Sequence, residues 1–491
     1  MGDLSADKRR LLEQRLGKRP AAKTAAPVGI PRRPDGPPPL SAGQEAIRFA
    51  VSARPLEPVY NVVHRHLVDG PFDPSAFETA LRSVVERHES LITSFGTDRR
   101  TLDIADAVSF DFLQMTDGET TGDDASDGGD ALARFERIAT DQATTPFDLV
   151  DGPLLRCVCV ELGPDRHGLV LALHHLSADA ASFGILWREL DLSARGRPIT
   201  TPSVRYSDHA VWQRSQITDD DRTFWAERLP SDAVAPRPDL AAPSTPTDAD
   251  RRSAGYLTVP LGVTPAALAD AGLRSQPFFL ACLADLLDRY DAAALEEPAG
   301  RRAPAATTIG IAGSVRDHPD LDDVIGYFLN TLPLSVPVDR DTTIADRVTA
   351  VEGALATALR HRHVPYHEIV SARRANGDRE PDPISVLFVV DESFDASFGD
   401  AEVTSDLVHN GTAVAPLTMF VRPVADGFEA SAEWDTTKFD GTRVAAFLDS
   451  FPILTEWASR HSDEPIPATL LADDAVGPPL ADAATTLTHT I

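Results

Sequence analysis

Lysine is almost missing from this chain. Only Lys8, Lys18, Lys23 and Lys438 occur in 491 residues, and Asp plus Glu number 75 against 46 Lys plus Arg, for a net charge of −29. That balance argues against a nucleic-acid partner, since phosphate binding needs a basic surface. An acidic, lysine-poor surface fits salt adaptation, and it fits arginine-for-lysine replacement in a GC-rich genome equally well; composition leaves both open. Cysteine is scarce too: Cys157, Cys159 and Cys282 make no disulfide framework. The first two alternate along an apparent strand over 154–162, as small core residues do, rather than as zinc ligands. No apolar run reaches the roughly eighteen residues of a transmembrane helix. The start, Met1-Gly2-Asp3-Leu4, lacks the apolar core of a signal peptide. The expectation is a cytoplasmic protein, away from membranes and with no bound metal.

At this length the chain exceeds one ordinary core and suggests two or more units. Residues 1–37 read as a short helix capped at Ser5 and ending at Gly17, followed by a Pro/Ala-rich linker. A first lobe spans 38–229; within it Phe77, Leu81, Val84 and Val85 share one helical face. The acidic Gly/Asp/Thr stretch over 116–130 reads as a solvated loop. Five prolines in 230–250 mark an interlobe linker, a second lobe covers 251–470, and 471–491 is a tail. Strand-like runs at 169–173 and 384–390 mix with amphipathic helices, which supports an α+β or α/β class without fixing topology.

The most informative stretch is His174-His175-Leu176-Ser177-Ala178-Asp179. It follows the apolar run 169–173, a buried-strand pattern, and precedes a helical face of Phe183, Leu186, Trp187 and Leu190. The two histidines thus lie where a strand gives out and a helix begins. Alternation sends them to opposite faces, so one at most meets substrate. An imidazole there suits proton transfer near neutral pH. His361, His363 and His367 also fall close together, but Pro365 interrupts any helix that would align them on a metal, so they read as structural.

The neighbouring motifs bear a likeness to a known family. The histidine stretch resembles the HHxxxDG motif of the condensation domains of nonribosomal peptide synthetases, relatives of chloramphenicol acetyltransferase. Pro39 to Gln44 (PLSAGQ), Arg87 to Phe95 (RHESLITSF), Tyr206 to Gln213 (YSDHAVWQ), Ile325 to Leu332 (IGYFLNTL) and His361 to Tyr366 (HRHVPY) resemble that family's other motifs, in the family's order. Pro383-Ile384, after Arg379, faintly resembles the last one. Ala180 departs from the usual glycine, Ala46 from an arginine of the first motif and Ile92 from an arginine of the second.

The resemblance implies two chloramphenicol acetyltransferase-like lobes in a V, with an active-site tunnel between them formed within a monomer. It implies that His175 is catalytic and His174 structural, and that Asp179 pairs with Arg316; read by itself, Arg316 also fits an exposed loop charge. Ser182 and Asn330 are expected to line the tunnel, though Asn330 fits a backbone-bonding role as well. The implied reaction is a condensation-type acyl transfer. An acyl, aminoacyl or peptidyl group passes from a carrier protein's phosphopantetheine thioester to an amine or hydroxyl acceptor. No cofactor is bound, and the partners are carrier proteins or neighbouring synthetase modules. Because the chain contains no adenylation or carrier segment, a free-standing coenzyme A-dependent O- or N-acyltransferase is the alternative. A silent module that recruits carriers is a third reading, suggested by Ala180.

Overall fold

The computed structural model describes residues 29–52, 57–96, 101–105, 107–115, 131–229, 240, 254–294, 306–378, 382–390 and 394–471. The expected N-terminal helix, the acidic 116–130 stretch, Arg379, nearly all of the 230–250 linker and all but the first residue of the tail lie outside the described residues.

With strands and helices numbered in chain order, a first sheet holds β1 (Asn61–Asp69), β4 (Asp111–Met115), β5 (Leu155–Gly163), β6 (Arg166–His174), β11 (Ser397–Phe398) and β12 (Ala401–Val408), in the order β11-β12-β1-β6-β5-β4. Alternation buries both of its faces. Cys157, Cys159, Leu169, Leu171 and Leu173 pack with α2 (Pro74–Arg87) and α4 (Ala180–Ala194). Val158, Val160, Val170 and Ala172 pack with Phe135 and Ala139 of α3 (Ala131–Thr144). The expected helical faces form as read: Phe77, Leu81, Val84 and Val85 are wholly buried on α2, as are Phe183, Leu186, Trp187 and Leu190 on α4. Asp73 caps α2 by accepting from Ser75 N, and Pro74 follows at the first helical position. A small ladder, β2 (Thr93–Phe95) with β3 (Leu102–Ile104), flanks this sheet.

The second sheet runs β7-β14-β13-β10-β8-β9, from β7 (Ala254–Leu261), β8 (Ala306–Ser314), β9 (Leu329–Pro337), β10 (Val386–Val390), β13 (Leu417–Val424) and β14 (Gly427–Asp435). Its core is closed by α8 (Ser275–Ala294), α9 (Ile344–Arg360) and α11 (Gly441–Arg460), with Phe278, Val351 and Phe447 fully buried. The fold is mixed α and β, with both parallel and antiparallel pairs in each sheet. The remaining helices are α1 (Ala42–Ser52), α5 (Tyr206–Ser215), α6 (Asp219–Arg228), α7 (Pro265–Asp270) and α10 (Tyr366–Ala375).

The two cores do not divide where the sequence suggests. β12 comes from the second half of the chain, yet it pairs with β1 along its length, from Val63↔Val408 to Asp69↔Glu402. Conversely, Trp225 and Leu229 near the end of the expected first lobe pack into the second core, where the Trp225 indole donates to the His361 carbonyl at 2.9 Å. The 38–229 and 251–470 lobes therefore exchange structure. A proline-rich stretch in the sequence does not say which sheet each later segment completes.

Among the histidines sealed inside this fold are His66 on β1, His174 at the end of β6 and His209 on α5, exposed by 0, 4 and 0%. Burial, reinforced by His175, pushes His174 down to about 3. Burial, with the charges of His363 and Arg316, does the same to His209. Burial, then His64, carries His66 well below its usual value. In the unfolded chain each takes up a proton near 6.5, whereas in the folded chain each resists doing so. Stability is therefore full above pH 6.5 and falls as pH drops toward 3, by up to about 1.4 kcal/mol per pH unit for each histidine. Urea midpoints measured from pH 7.5 to 5.0 should drop steeply below 6.5. A flat profile across that range would show that these rings are not held neutral.

Candidate active site

β6 ends at His174, and the pleat turns the next ring to the other face. His174 sits edge-on to Tyr60 and Phe147. Its Nδ1 accepts from Leu176 N at 3.1 Å, so the ring is neutral with its proton on Nε2 and holds the turn together. His175 is half-buried. Its backbone N donates to the Tyr60 carbonyl at 2.8 Å, and its Nδ1 lies 2.9 Å from the Ala178 carbonyl. A carbonyl only accepts, so Nδ1 carries the proton and Nε2 presents a lone pair. Burial depresses the His175 pKa, opposed by the Ala178 hydrogen bond and the nearby Asp179 charge. At neutral pH the ring is therefore a fixed, uncharged hydrogen-bond acceptor. Activity carried by this lone pair should persist as pH falls below 6.5 and be lost only at the depressed pKa. A pH–rate profile with a weakly basic acceptor amine, neutral throughout, isolates that limb.

The turn behind His175 is fastened by Asp179, which caps α4. Its Oδ1 accepts from Ser182 N at 2.9 Å and from the Ser182 hydroxyl at 2.7 Å, and its Oδ2 accepts from Phe328 N at 3.1 Å. Arg316 Nη2 approaches Oδ1 at 3.4 Å, with side-chain exposures of 10% for Arg316 and 3% for Asp179. Arg316 also donates to the Leu321 and Val324 carbonyls, at 2.5 and 2.6 Å, and lies over the Phe328 ring at 3.9 Å. It is a brace between distant segments and not an exposed loop charge. Ala180 is the first residue of α4 and has right-handed helical backbone, a conformation that asks nothing of glycine.

The other motifs converge on the same turn. Gln44 Nε2 donates to the Leu176 carbonyl at 2.9 Å, and the Ser41 hydroxyl meets the Tyr206 hydroxyl at 2.8 Å. Tyr206 in turn donates to the Tyr327 carbonyl at 2.5 Å. The ring of Tyr206 lies so close to Gly326 that a Cβ there would fall 2.0 Å from it, so only glycine fits. Ser90 donates to the Ile325 carbonyl at 2.7 Å.

Ser182 and Asn330, expected to line a tunnel, instead spend their polar atoms on joinery. The Ser182 hydroxyl is within hydrogen-bond distance of Asp179 and of the Gly326 carbonyl. Asn330 donates to the Arg362 and Val364 carbonyls and accepts from Tyr366 N. His361 and His363 address different carboxylates, Asp221 at 2.6 Å and Asp317 at 3.0 Å. Sequence reasoning missed Tyr60 and Tyr327 beside His175. Tyr327 lay in plain view inside the IGYFLNTL motif, at a position whose side-chain direction the motif does not specify.

These interlocked motifs run from Ser41 to Tyr366, and a family model described as the condensation domain matches residues 36–476. The chain belongs to the condensation domain family. This condensation domain is 31% identical over 511 residues to phosphinothricin tripeptide synthetase PhsC of Streptomyces viridochromogenes, covering 94% of this chain and 44% of that protein. It is 25% identical to surfactin synthase subunit 1 of Bacillus subtilis, covering 87% of this chain and 12% of that protein. It thus spans less than half the length of either relative. The condensation domain of the monacolin K polyketide synthase MokA superposes with a TM-score of 0.72 at 18% identity, over 88% of this chain and 99% of that one. That likeness carries the fold.

Proposed function

We propose that this condensation domain moves an acyl, aminoacyl or peptidyl group from a carrier protein's phosphopantetheine thioester to an amine. The acceptor amine attacks the thioester carbonyl, the C–N bond forms, the C–S bond breaks and the thiol leaves. His175 Nε2 accepts a hydrogen bond, or the proton, from the attacking nitrogen, a role worth roughly 10²- to 10⁴-fold. The observation that carries this reading is the Nδ1–H to Ala178 carbonyl bond, which leaves Nε2 as the free acceptor. His174, Asp179, Arg316 and Ser182 position the turn that holds it, while Asn330 ties its own strand to the 362–366 segment. The same chemistry serves a hydroxyl acceptor and would give an ester. The phosphopantetheine arm belongs to the partner carrier, as substrate, and the chain acts as a cytoplasmic monomer alongside carriers or neighbouring modules.

The helical backbone of Ala180 removes the motive for a silent recruiting module. Intact-mass analysis of an acyl-loaded carrier incubated with this protein and aminoacyl carriers tests the proposal. Transfer of the acyl mass to the acceptor carrier is expected. Transfer from coenzyme A thioesters with none from carriers would move the assignment to the free-standing acyltransferase, and transfer from neither would overturn it.

A further inference from the structure

The rings of Tyr327 and His175 meet in a T-shaped contact, with centroids 5.5 Å apart and planes at 68°. Separate features fix that ring in place. Its carbonyl is held by the Tyr206 hydroxyl. Gly43 leaves room for it: a Cβ at Gly43 would stand 2.7 Å from Tyr327 Cε1, 2.8 Å from Cδ1 and 2.8 Å from the Leu329 carbonyl. A first-motif glycine is thus spent on seating this one ring. Yet the ring does not serve the interior. Tyr327 belongs to none of the packed hydrophobic clusters among the described residues, and it stays half-buried. Among the described residues its hydroxyl takes no hydrogen-bond partner, and it is not one of the sealed, unpaired polar atoms, so it is open to the space around it. A fixed aromatic ring with an open hydroxyl, beside a histidine whose free Nε2 is on offer, is placed like the wall of a binding space.

We propose that Tyr327 is a specificity-determining residue whose ring limits the size of the group that can stand in front of His175 Nε2. That the group is the side chain beside the acceptor amine rests on the condensation reading; the wall itself does not. Burial, with Tyr60 and Tyr206 nearby, raises the phenol's pKa. The hydroxyl therefore stays protonated at working pH, and the wall carries no charge. Hydrophobic pockets discriminate by roughly 10- to 200-fold for each methylene-sized misfit, so removing a whole ring should give a readable change.

The test has two readouts on the full chain, in wild type, Tyr327→Phe and Tyr327→Ala. In the first, His175 is alkylated with iodoacetamide or with the bulkier phenacyl bromide and the adducts are quantified by peptide mass spectrometry. The bulky-to-small ratio at His175 should rise at least tenfold in Tyr327→Ala and stay within twofold in Tyr327→Phe. In the second, kcat/KM is compared for acceptors bearing a phenylalanyl or an alanyl group. Tyr327→Ala should shift that ratio toward the larger acceptor by a similar factor. An unchanged alkylation ratio in a Tyr327→Ala protein that melts like wild type overturns the proposal. If Tyr327→Ala does not fold, Tyr327→Leu takes its place with the same criteria. If wild type condenses nothing, the condensation reading fails, while the alkylation ratio still decides whether Tyr327 is the wall.

Discussion

Asp179→Ala is expected to lower the unfolding free energy by about 3–5 kcal/mol, the range for removing one partner of a buried charged pair. The carboxylate does several things at once. It caps α4 through Ser182 N, receives Phe328 N from the far segment, and offsets the nearly buried Arg316 guanidinium. Losing the cap alone costs about 1 kcal/mol. The remainder comes from an unpaired Phe328 N–H and from a guanidinium left without its counter-charge. Asp179→Asn separates these contributions, because an amide oxygen can still cap the helix but cannot answer the charge, so its loss should be intermediate. Arg316→Ala should cost less than Asp179→Ala, since it leaves the cap and the Phe328 N–H bond in place. Urea unfolding of the three variants tests this ordering. A loss under about 1 kcal/mol for Asp179→Ala would mean that the carboxylate does not brace the turn.

His175→Ala is expected to reduce turnover by roughly 10² or more while the fold survives. The ring's one hydrogen bond in the described structure goes to the Ala178 carbonyl, within its own turn, so its removal leaves the sheet and α4 intact. His174→Ala should behave in the opposite way. It opens a cavity between Tyr60 and Phe147 and frees Leu176 N, so stability falls along with activity. Product formation by intact mass, beside melting curves for both variants, distinguishes the two histidines. Near wild-type turnover by a folded His175→Ala protein would remove it from the mechanism.

What could be read without coordinates was local. The face of Phe77, Leu81, Val84 and Val85, the helix behind Phe183 and Trp187, and the opposite orientations of His174 and His175 follow from periods of 3.6 and 2. That Asp179 also caps α4 is not among the sequence expectations, which pair it only with Arg316, and comes from the coordinates. Where the polar atoms of Ser182 and Asn330 go is not legible in the sequence, because a hydroxyl or an amide can face a cavity or a carbonyl equally well. The choice depends on which backbone lies opposite, and here that backbone is Gly326 and the 362–366 segment.

The family, the histidine at issue and the helices and strands that carry it are legible in the order of residues alone, because each signal is contained within a few neighbouring residues. The folded chain is needed to see that β12 closes the first sheet against β1, more than three hundred residues earlier in the chain. It alone shows that Trp225 serves the second core and that Tyr327 stands beside His175. Strand partners and ring neighbours across such separations depend on which exposed edge and which cavity remain once each half has folded. No period in the sequence records that choice.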